Sequence, residues 1–474
     1  MADEVQHKQV TRQTSDGAED RYLGLLAEYS HRTAWENLAT ETVHEVKRRT
    51  LDSIGVAVAA FDKDAPSIAR AYAVELTHPD GATLWGLETR VAPEAAAFAN
   101  GVMVRYLDYN DTYLSLEPLH PSDVLPALMA ACQYRQRSVR DFITAAAVAY
   151  EVGVSLCDAA SIRAHRWDHV MYTSIGAACG VGNLLGLSVP EIANAIAITV
   201  VPHAPMRQTR VGELSMWKGA AAARAVSHAV FAGLLAEKGL TGPSMPFEGE
   251  MGFFRQLLEG GSFDPTALDG IEAGTPPRRI LDTYVKKWPV EYHAQSAVDA
   301  AIELRDDLDG AAIESVQIET FKTAYEIIAK DPEKWVPRTR ETADHSLPYI
   351  VAVSLTDGTV TKDSFSEDRL RDPGLAELLG KTTLVEDDEL TAGYPKGIPN
   401  RVRVTTSGGR SLERSVSFPR GHAMNPMTDS DLEGKFFENV AGRWPGERAR
   451  RTAGLVWDLE NQPDLEGLME AIQL

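Results

Sequence analysis

Residues 105–123 place two acids, a threonine, a glutamate, a histidine and a further acid between two apolar helical segments, so the fold must keep a polar stretch at the ends of two core helices. Asp108, Asp111 and Thr112 are spaced i, i+3 and i+4, and this spacing predicts that they share one helix face. Such a face indicates either a ligand site or a set of buried groups that bond only to the backbone.

The end of the same stretch predicts the start of a new helix. Pro118 and Pro121 would break the preceding helix, and Ser122 stands where an N-cap belongs, directly before an apolar run. His120 would then lie beside free backbone N–H groups and the positive end of a helix dipole, which attract an anion such as a carboxylate. A capped turn without any ligand fits the spacing equally well.

Length and charge limit the classes of function. At 474 residues the chain is longer than one ordinary domain, and two or three domains around a large core are expected. The net charge of -21 argues against nucleic acid or an anionic membrane as a partner. A site for an acidic small molecule must therefore be assembled locally from arginines, lysines and helix ends.

Targeting signals are not evident in the sequence. The first 20 residues are polar, are expected to be loosely ordered, and lack the apolar core of a signal peptide, so a cytoplasmic location is expected. Residues 170–190 contain no charge and approach the length of a membrane span. Because four glycines and one asparagine dilute this run and no second span exists, a buried core helix is predicted instead.

The cysteines and the known cofactor motifs point to chemistry by side chains alone. Cys132, Cys157 and Cys179 form no Cys-x-x-Cys pair, so the usual ligand spacing of a zinc site or an iron–sulfur cluster is missing. All three lie in apolar surroundings and are predicted to be buried thiols. The sequence has no Gly-x-Gly-x-x-Gly, P-loop or Gly-x-Ser-x-Gly element. No metal and no cofactor are expected.

Apolar periodicity predicts a helical first part of the chain. The predicted helical segments are 22–61, 91–107, 123–136, 139–159, 170–187, 191–200 and 215–238. The first 270 residues are therefore expected to be almost entirely helical.

The pattern changes near residue 273. A strand is predicted at 316–320 and a hairpin at 402–418 around Ser407-Gly-Gly. Helices at 294–306, 322–329 and 345–357 lie among these strands, and the tail after Asn425-Pro-Met-Thr428 is helical again, with a last helix at 462–473. The predicted fold is mostly α with an α+β part: a large all-helical domain formed by residues 1–280 and 421–474, and a smaller inserted α+β lid at 281–420.

A cleft between two such domains is the expected place for a site. Its candidate side chains, beyond those of residues 105–123, are His169, Arg207, Arg210, Lys218, Lys286, His293 and His345. Two arginines separated by two residues can bind carboxylates in bidentate fashion, and imidazoles can act as acids or bases near neutral pH.

Several strings together resemble the MmgE/PrpD family. They are Leu107-Asp-Tyr-Asn-Asp-Thr112, His120-Pro-Ser-Asp123, Gly212-Glu-Leu-Ser-Met-Trp-Lys-Gly219, Pro246-Phe-Glu-Gly249, Trp288-Pro-Val-Glu-Tyr-His-Ala-Gln295, Ala343-Asp-His-Ser-Leu-Pro-Tyr349 and Asn425-Pro-Met. The resemblance covers about residues 20–460, in the family's order. It implies a helical domain with an α+β lid and a typically homodimeric enzyme without metal or cluster.

The resemblance also implies particular site residues. Asp108, Thr112 and His120 match the active-site segment of the family, and His169 resembles the histidine of a dehydratase-like Asp-His-Val motif. Lys286 matches the hinge lysine of the family.

Further along, Tyr349 matches the tyrosine after His-Ser. Glu291 stands where the decarboxylase branch has a histidine, and Lys218 lies closer to the glycine of its helix than the corresponding decarboxylase lysine does. Both departures favour a dehydratase over a decarboxylase.

The family includes 2-methylcitrate dehydratases, cis-aconitate decarboxylases and an iminodisuccinate epimerase. We expect dehydration of 2-methylcitrate, or of a closely related β-hydroxy tricarboxylate, to 2-methyl-cis-aconitate, with propionate catabolism as the setting. Decarboxylation or epimerisation of a related acid is the alternative within the family, and a non-catalytic helical scaffold is a remote one.

Dehydration requires a base near the C–H bond, an acid near the leaving oxygen and cations for the developing charge. His120 or His169 is expected to be the base, with Asp108 orienting it, and Tyr349 could protonate the leaving group. The residues expected to hold the substrate are Lys286, Arg207, Arg210, Lys218, Thr112 and His293.

Overall fold

Apolar periodicity in the first 270 residues forms helices that pack directly on one another. The computed structural model describes residues 19–474. The expectations for the preceding residues, a loose start without a signal-peptide core, fall outside the described part. The helices of the first part are α1 Arg21–Arg32, α2 Thr40–Ala60, α3 Asp64–Val74, α4 Pro93–Tyr106, α5 Leu125–Tyr134, α6 Val139–Ala159, α7 Val170–Leu185, α8 Val189–Val200, α9 Ala221–Glu237, α10 Phe253–Leu257 and α11 Asp269–Ala273.

The second part mixes helices and strands. Its helices are α12 Gln295–Leu308, α13 Lys322–Ile328, α14 Arg340–Ala343, α15 Leu347–Asp357, α16 Glu367–Leu370, α17 Pro373–Gly380, α18 Asp388–Gly393, α19 Asp429–Val440, α20 Gly446–Trp457 and α21 Glu466–Ala471. The strands of the whole chain are β1 Thr77–Thr83, β2 Arg90–Val91, β3 Tyr113–Leu114, β4 Pro118–Leu119, β5 Ile313–Thr320, β6 Thr382–Glu386, β7 Asn400–Thr406 and β8 Ser411–Val416. Helices take up 59% and strands 10%, which confirms a mostly helical fold.

The prediction of an all-helical first part is wrong in detail. Two small antiparallel pairs, β1–β2 and β3–β4, lie within it. The predicted helix 22–61 is also two helices. α1 ends where Thr33 takes an extended conformation, with φ -72° and ψ +121°, and the hydroxyl of Thr33 donates to the carbonyl of Tyr29 at 2.9 Å.

The uncharged run after residue 170 is a core helix. In α7 an added Cβ on Gly176 would lie 2.6 Å from the carbonyl oxygen of Ala149 in α6, and one on Gly180 would lie 2.8 Å from that of Ala145. The glycines therefore let α6 and α7 approach each other closely. Within residues 19–474 one helix, α6, is long and apolar enough to cross a membrane, and 94% of its most apolar window is buried inside the fold. Its apolarity is accounted for by this packing.

Replacing Gly176 by alanine is expected to lower the free energy of unfolding by about 1–3 kcal/mol, because the new methyl group has no room against a backbone carbonyl. Denaturant unfolding measures the change. Gly24→Ala is the matched control: it lies in α1 with no atom within 4 Å of the added Cβ, and it should leave stability unchanged or raise it by up to about 1 kcal/mol. Equal effects of the two substitutions would contradict the close α6–α7 contact.

The second part contains one four-stranded sheet in the order β6-β5-β7-β8. The predicted hairpin is confirmed as β7 and β8, which pair antiparallel from Asn400↔Val416 to Thr405↔Ser411. β6 was not predicted. It is five residues long and pairs parallel with β5 at the edge of the sheet.

The C-terminal helices return to the N-terminal ones. Thr428 caps α19 by accepting from the N–H of Asp431, as predicted. Lys435 of α19 lies 2.6 Å from Asp52 of α2, and both side chains are buried. The contact fits one helical unit built from both ends of the chain, and the limits of the domains stay a prediction.

Candidate active site

The polar stretch after α4 is an irregular turn. α4 ends at Tyr106, and Asp108 has a φ of +52°, so the prediction that Asp108, Asp111 and Thr112 share one helix face is wrong. Aspartate tolerates this left-handed conformation better than most residues. The carboxylate of Asp111 accepts from the backbone N–H of Ser122 at 2.9 Å and from the hydroxyl of Tyr150 at 2.7 Å. These bonds hold the segment in the turn, in place of the backbone hydrogen bonds that a helix would form.

The predicted N-cap at Ser122 is also wrong. Ser122 lies inside a short 3-10 turn, Pro121–Val124, and its hydroxyl accepts from the side-chain amide of Asn110 at 2.9 Å. α5 begins only at Leu125 and has no side-chain cap. The serine stabilises the turn rather than the helix.

His120 precedes this turn and has a fixed orientation. Its Nδ1 lies 2.8 Å from the carbonyl oxygen of Asp111. Because a carbonyl can only accept, Nδ1 carries the hydrogen, and Nε2 of the neutral ring is left as an acceptor. Nε2 lies 3.9 Å from Oδ1 of Asp108. Burial, followed by the charges of Arg105 and Lys286, holds the pKa of His120 well below its usual value.

Asp108 is the centre of a buried charge cluster. Its Oδ1 contacts the guanidinium of Arg105 and lies 3.0 Å from Nζ of Lys286, and Lys286 also donates to the backbone carbonyl of Asp108 at 2.8 Å. Its Oδ2 lies 3.7 Å from both Nζ of Lys218 and Nε2 of His345. Burial by itself raises the pKa of Asp108, but the charges of Arg105, Lys218 and Lys286 outweigh it and hold the pKa well below its usual value.

Pairing between distant segments brings Lys286 to this position. Thr112 and Tyr284 form an isolated antiparallel bridge, with backbone bonds of 2.9 and 2.7 Å. The segment that carries Lys286 is thereby aligned with the turn that carries Asp108.

Asp344 and His345 form a second ionisable pair at the same pocket. Oδ1 of Asp344 lies 2.5 Å from Nδ1 of His345, and Oδ2 accepts from Arg340 at 3.0 Å. Nζ of Lys218 lies between the two carboxylates, 3.5 Å from Asp344 and 3.7 Å from Asp108, without a hydrogen bond. Burial lowers the pKa of Lys218 to about 8, against the opposing effect of both carboxylates.

Glu291 and His293 are paired in the same way. Glu291 accepts from the backbone N–H of His293 at 2.8 Å and contacts its Nδ1 at 2.7 Å, and Nε2 of His293 is buried without a partner. The backbone N–H of Glu291 donates to the carbonyl of Asp344 at 2.9 Å, which couples the two pairs. Burial raises the pKa of Glu291, but His293 and His345 outweigh it and bring the pKa to about 2.

His169 is engaged by its neighbours at both nitrogens. Nδ1 lies 3.2 Å from the carboxylate of Asp168, and Nε2 lies 3.5 Å from a guanidinium nitrogen of Arg210, which can only donate. Arg210 also binds Asp168 at 3.0 Å. Burial and the charge of Arg210 lower the pKa of His169 to about 3.

These groups surround one pocket with about 630 Å³ of empty space, part of it open solvent. Its lining residues are Arg105, Asp108, Pro118, His120, Arg163, His169, Arg207, Arg210, Leu214, Lys218, Glu291, His293, Ile327, Lys334 and His345. Six of them are arginines or lysines and two are carboxylates. The pocket is therefore strongly cationic in a chain whose net charge is -21.

The six cations differ in how they are paired. Arg105, Arg210 and Lys218 face buried carboxylates of the protein. By contrast, the side chains of Arg163, Arg207 and Lys334 have no hydrogen bond or ion pair within residues 19–474. Three cations at one pocket are thus available to a ligand.

Most of the predicted site residues come together. His120, His169, Arg207, Arg210, Lys218 and His293 line the pocket with Asp108, and Lys286 contacts Asp108. Thr112 and Tyr349 are placed elsewhere: the hydroxyl of Thr112 donates to the carbonyl of Leu119 at 3.0 Å, and that of Tyr349 donates to the carbonyl of Ser364 at 2.8 Å.

Sequence patterns predicted no role for four further residues of the site, namely Arg105, Arg163, Lys334 and Asp344. For Arg105 a signal exists, because it stands three residues before Asp108 next to the polar stretch. Asp344 lies beside His345 in the recognised string Ala343–Tyr349, whereas Arg163 and Lys334 come from segments with no pattern that sets them apart. Among residues 19–474 no group of three or more histidines, cysteines, aspartates or glutamates is arranged to hold a metal ion.

Comparison with known proteins agrees with this architecture. A family model described as the MmgE/PrpD N-terminal domain matches residues 24–266, and the MmgE/PrpD C-terminal domain matches residues 288–461. A 2-methylcitrate dehydratase from Cupriavidus necator is 30% identical over 400 residues, covering 77% of this chain and 79% of the relative. A 2-methylcitrate dehydratase from Escherichia coli (strain K12) is 29% identical over 416 residues, covering 81% and 83%. A fungal alkylcitrate dehydratase is 27% identical over 455 residues, covering 89% and 88%.

Proposed function

Since this chain belongs to the MmgE/PrpD family, whose N- and C-terminal domains it both contains, we propose that it is a hydro-lyase that dehydrates 2-methylcitrate or a closely related β-hydroxy tricarboxylate. Similar proteins at about 30% identity carry the names 2-methylcitrate dehydratase and alkylcitrate dehydratase. With 2-methylcitrate the product is 2-methyl-cis-aconitate, and propionate catabolism is the proposed setting. The proposal includes a cytoplasmic homodimer.

The observation that carries the proposal is a neutral imidazole base beside a strongly cationic pocket. Nε2 of His120 is an acceptor because its Nδ1 is bound to a carbonyl, and Asp108 lies 3.9 Å away to stabilise the imidazolium that forms. His169 is less suited to be the base, since the guanidinium of Arg210 occupies the side of its Nε2. We therefore assign the proton abstraction to His120.

The unpaired cations are the proposed carboxylate-binding groups. Arg163, Arg207 and Lys334 can each bind a substrate carboxylate without breaking an existing ion pair. Arg210 and Lys286 are already paired with Asp168 and Asp108, so they act through those carboxylates.

Lys218 would stabilise the negative charge that develops beside a substrate carboxylate as the C–H bond breaks. Its ammonium is buried and has no hydrogen bond, so it can donate to a substrate carboxylate without giving up an existing hydrogen bond.

The experiment that tests the proposal offers purified, EDTA-treated protein 2-methylcitrate, citrate, cis-aconitate and iminodisuccinate in parallel. We expect enoate absorbance to rise with 2-methylcitrate and to persist in the chelator, with water as the only other product. Release of CO2 from cis-aconitate would assign a decarboxylase instead, and isomerisation at constant mass would assign an epimerase. No reaction with any of the four acids would contradict the proposal.

Replacing Arg207 by glutamine is expected to raise KM about 10- to 100-fold with a smaller change in kcat, because a charged hydrogen bond to a substrate carboxylate is lost in the ground state and the transition state alike. Steady-state kinetics measure the split. Arg255→Gln, at an exposed position on α10, is the matched control and should leave both constants unchanged. An unaltered KM for Arg207→Gln would remove this residue from the binding site.

A further inference from the structure

The leaving hydroxyl of the substrate needs a proton donor, and Tyr349, the predicted one, bonds to Ser364 away from the pocket. Resting on the proposed dehydration, we propose that His345, held by Asp344, is the catalytic acid that protonates this hydroxyl.

The geometry of His345 suits a proton donor. Its Nδ1 lies 2.5 Å from Asp344, whose other oxygen is fixed by Arg340 at 3.0 Å, so the ring cannot turn freely. Its Nε2 lies at the pocket, 3.7 Å from Asp108. A histidine with a carboxylate on one nitrogen and a cavity at the other can carry a proton to a ligand.

His345 and His120 approach the same carboxylate from its two oxygens. Nε2 of His120 lies 3.9 Å from Oδ1 of Asp108, and Nε2 of His345 lies 3.7 Å from Oδ2. A substrate bound above Asp108 would therefore meet one imidazole near each of two neighbouring carbons. Elimination of water needs two such groups, one for the C–H proton and one for the leaving oxygen.

The partners of Nδ1 decide which histidine is the acid. His120 donates to the neutral carbonyl of Asp111, whereas His345 is bound to the ionised Asp344, which stabilises an imidazolium. In the free pocket burial and the charge of Lys218 lower the pKa of His345 to about 4, against Asp344 and Asp108. Three substrate carboxylates act in the opposite direction and favour the protonated ring in the complex.

The other two histidines of the pocket are less suited. Nε2 of His169 faces Arg210, which can only donate, so that nitrogen cannot also carry a proton toward the ligand. His293 also has a carboxylate, Glu291, at its Nδ1, but it packs against the stacked rings of Phe321 and Tyr394 and makes no contact with Asp108 within the described residues.

The step balances without a co-reactant. Nε2 of His120 takes the proton from the carbon beside a carboxylate, and the electron pair of that C–H bond forms the C=C bond. The C–O bond breaks, its pair stays on oxygen, and Nε2–H of His345 supplies the proton that completes water. One proton then passes from His120 to solvent and one from solvent to His345.

The test uses the full-length protein in D2O with the tricarboxylate that the wild type dehydrates. His345→Asn is the main variant, because its side-chain amide can keep the bond to Asp344 while it cannot transfer a proton; His345→Gln is measured in parallel. Enoate formation, deuterium in recovered substrate and substrate binding by calorimetry are followed together. We expect enoate formation to fall at least about 100-fold, binding to stay within about 3-fold, and deuterium incorporated per turnover to rise at least about 10-fold.

The rise in exchange follows because His120 still removes the proton while the hydroxyl no longer leaves. If the His345 variants lost deuterium exchange together with dehydration, His345 would not be the acid. Turnover above about a tenth of wild type in both variants would also overturn this assignment. The assignment would also be overturned if deuterium incorporated per turnover rose in a Lys218→Met protein but not in the His345 variants. A wild-type protein that dehydrates no tricarboxylate would instead refute the proposed function itself.

Discussion

Asp108→Asn is expected to lower the free energy of unfolding by about 3–5 kcal/mol and to lower turnover at least about a hundred-fold. The stability loss arises because Arg105, Lys218 and Lys286 would remain buried around an uncharged amide. The loss of turnover arises because the same carboxylate fixes those cations and faces His120. Denaturant unfolding and steady-state kinetics measure the two effects.

The difference in the free energy of unfolding between the wild type and Asp108→Asn should depend on pH. Because the pKa of Asp108 in the folded protein lies well below its unfolded value of about 3.9, its contribution is fully present above that value. It is lost as the pH falls through the lower, folded pKa. The stability gap between wild type and Asp108→Asn should thus narrow as the pH falls below about 4.

Asp80→Asn is the control for this pair of measurements, since Asp80 is exposed and has no ion-pair partner among the described residues. It should change neither stability nor turnover measurably. An Asp108→Asn protein as stable as the wild type would contradict the cluster as described, and one with full turnover would remove Asp108 from the site.

The sequence identified the part of the site that lies within one short segment of the chain. Asp108 and His120 lie twelve positions apart in one polar stretch, and the structure does bring them to one pocket. The conformation of that stretch could not be predicted, because i, i+3, i+4 spacing fits a helix as well as a turn. The turn is selected by a bond that the carboxylate of Asp111 accepts from the backbone N–H of Ser122, and only the folded chain shows this bond.

Of the proposed carboxylate-binding groups, Arg207 was predicted from its spacing to Arg210, but Arg163 and Lys334 could not be found by spacing. Arg163 and Lys334 come from two distant segments whose approach depends on how the second part of the chain packs on the first. The string that contains His345 and Tyr349 was recognised, but Tyr349 was predicted to be the proton donor. The histidine precedes α15 and faces the pocket, whereas the tyrosine lies within α15 and bonds to Ser364.

His120→Gln is expected to lower kcat about a hundred- to ten-thousand-fold while the protein still folds and binds substrate. The ring is buried but uncharged, so its loss removes no ion pair, and the charges of Arg163, Arg207 and Lys334 remain for the carboxylates. Unlike the variants of His345, this one should lose both dehydration and deuterium exchange in D2O, because no base is left at the C–H bond.

His44→Gln, on the surface of α2, is the matched control and should retain full turnover. His169→Gln is a second comparison: since Nε2 of His169 is bound to Arg210, its replacement should act mainly through the position of that arginine and raise KM more than it lowers kcat. If His169→Gln abolished exchange and His120→Gln preserved it, the base would be His169, and Arg210 would have to move away when the substrate binds. If both variants kept the exchange, neither histidine would be the base, and the chemistry at Asp108 would need another proton acceptor.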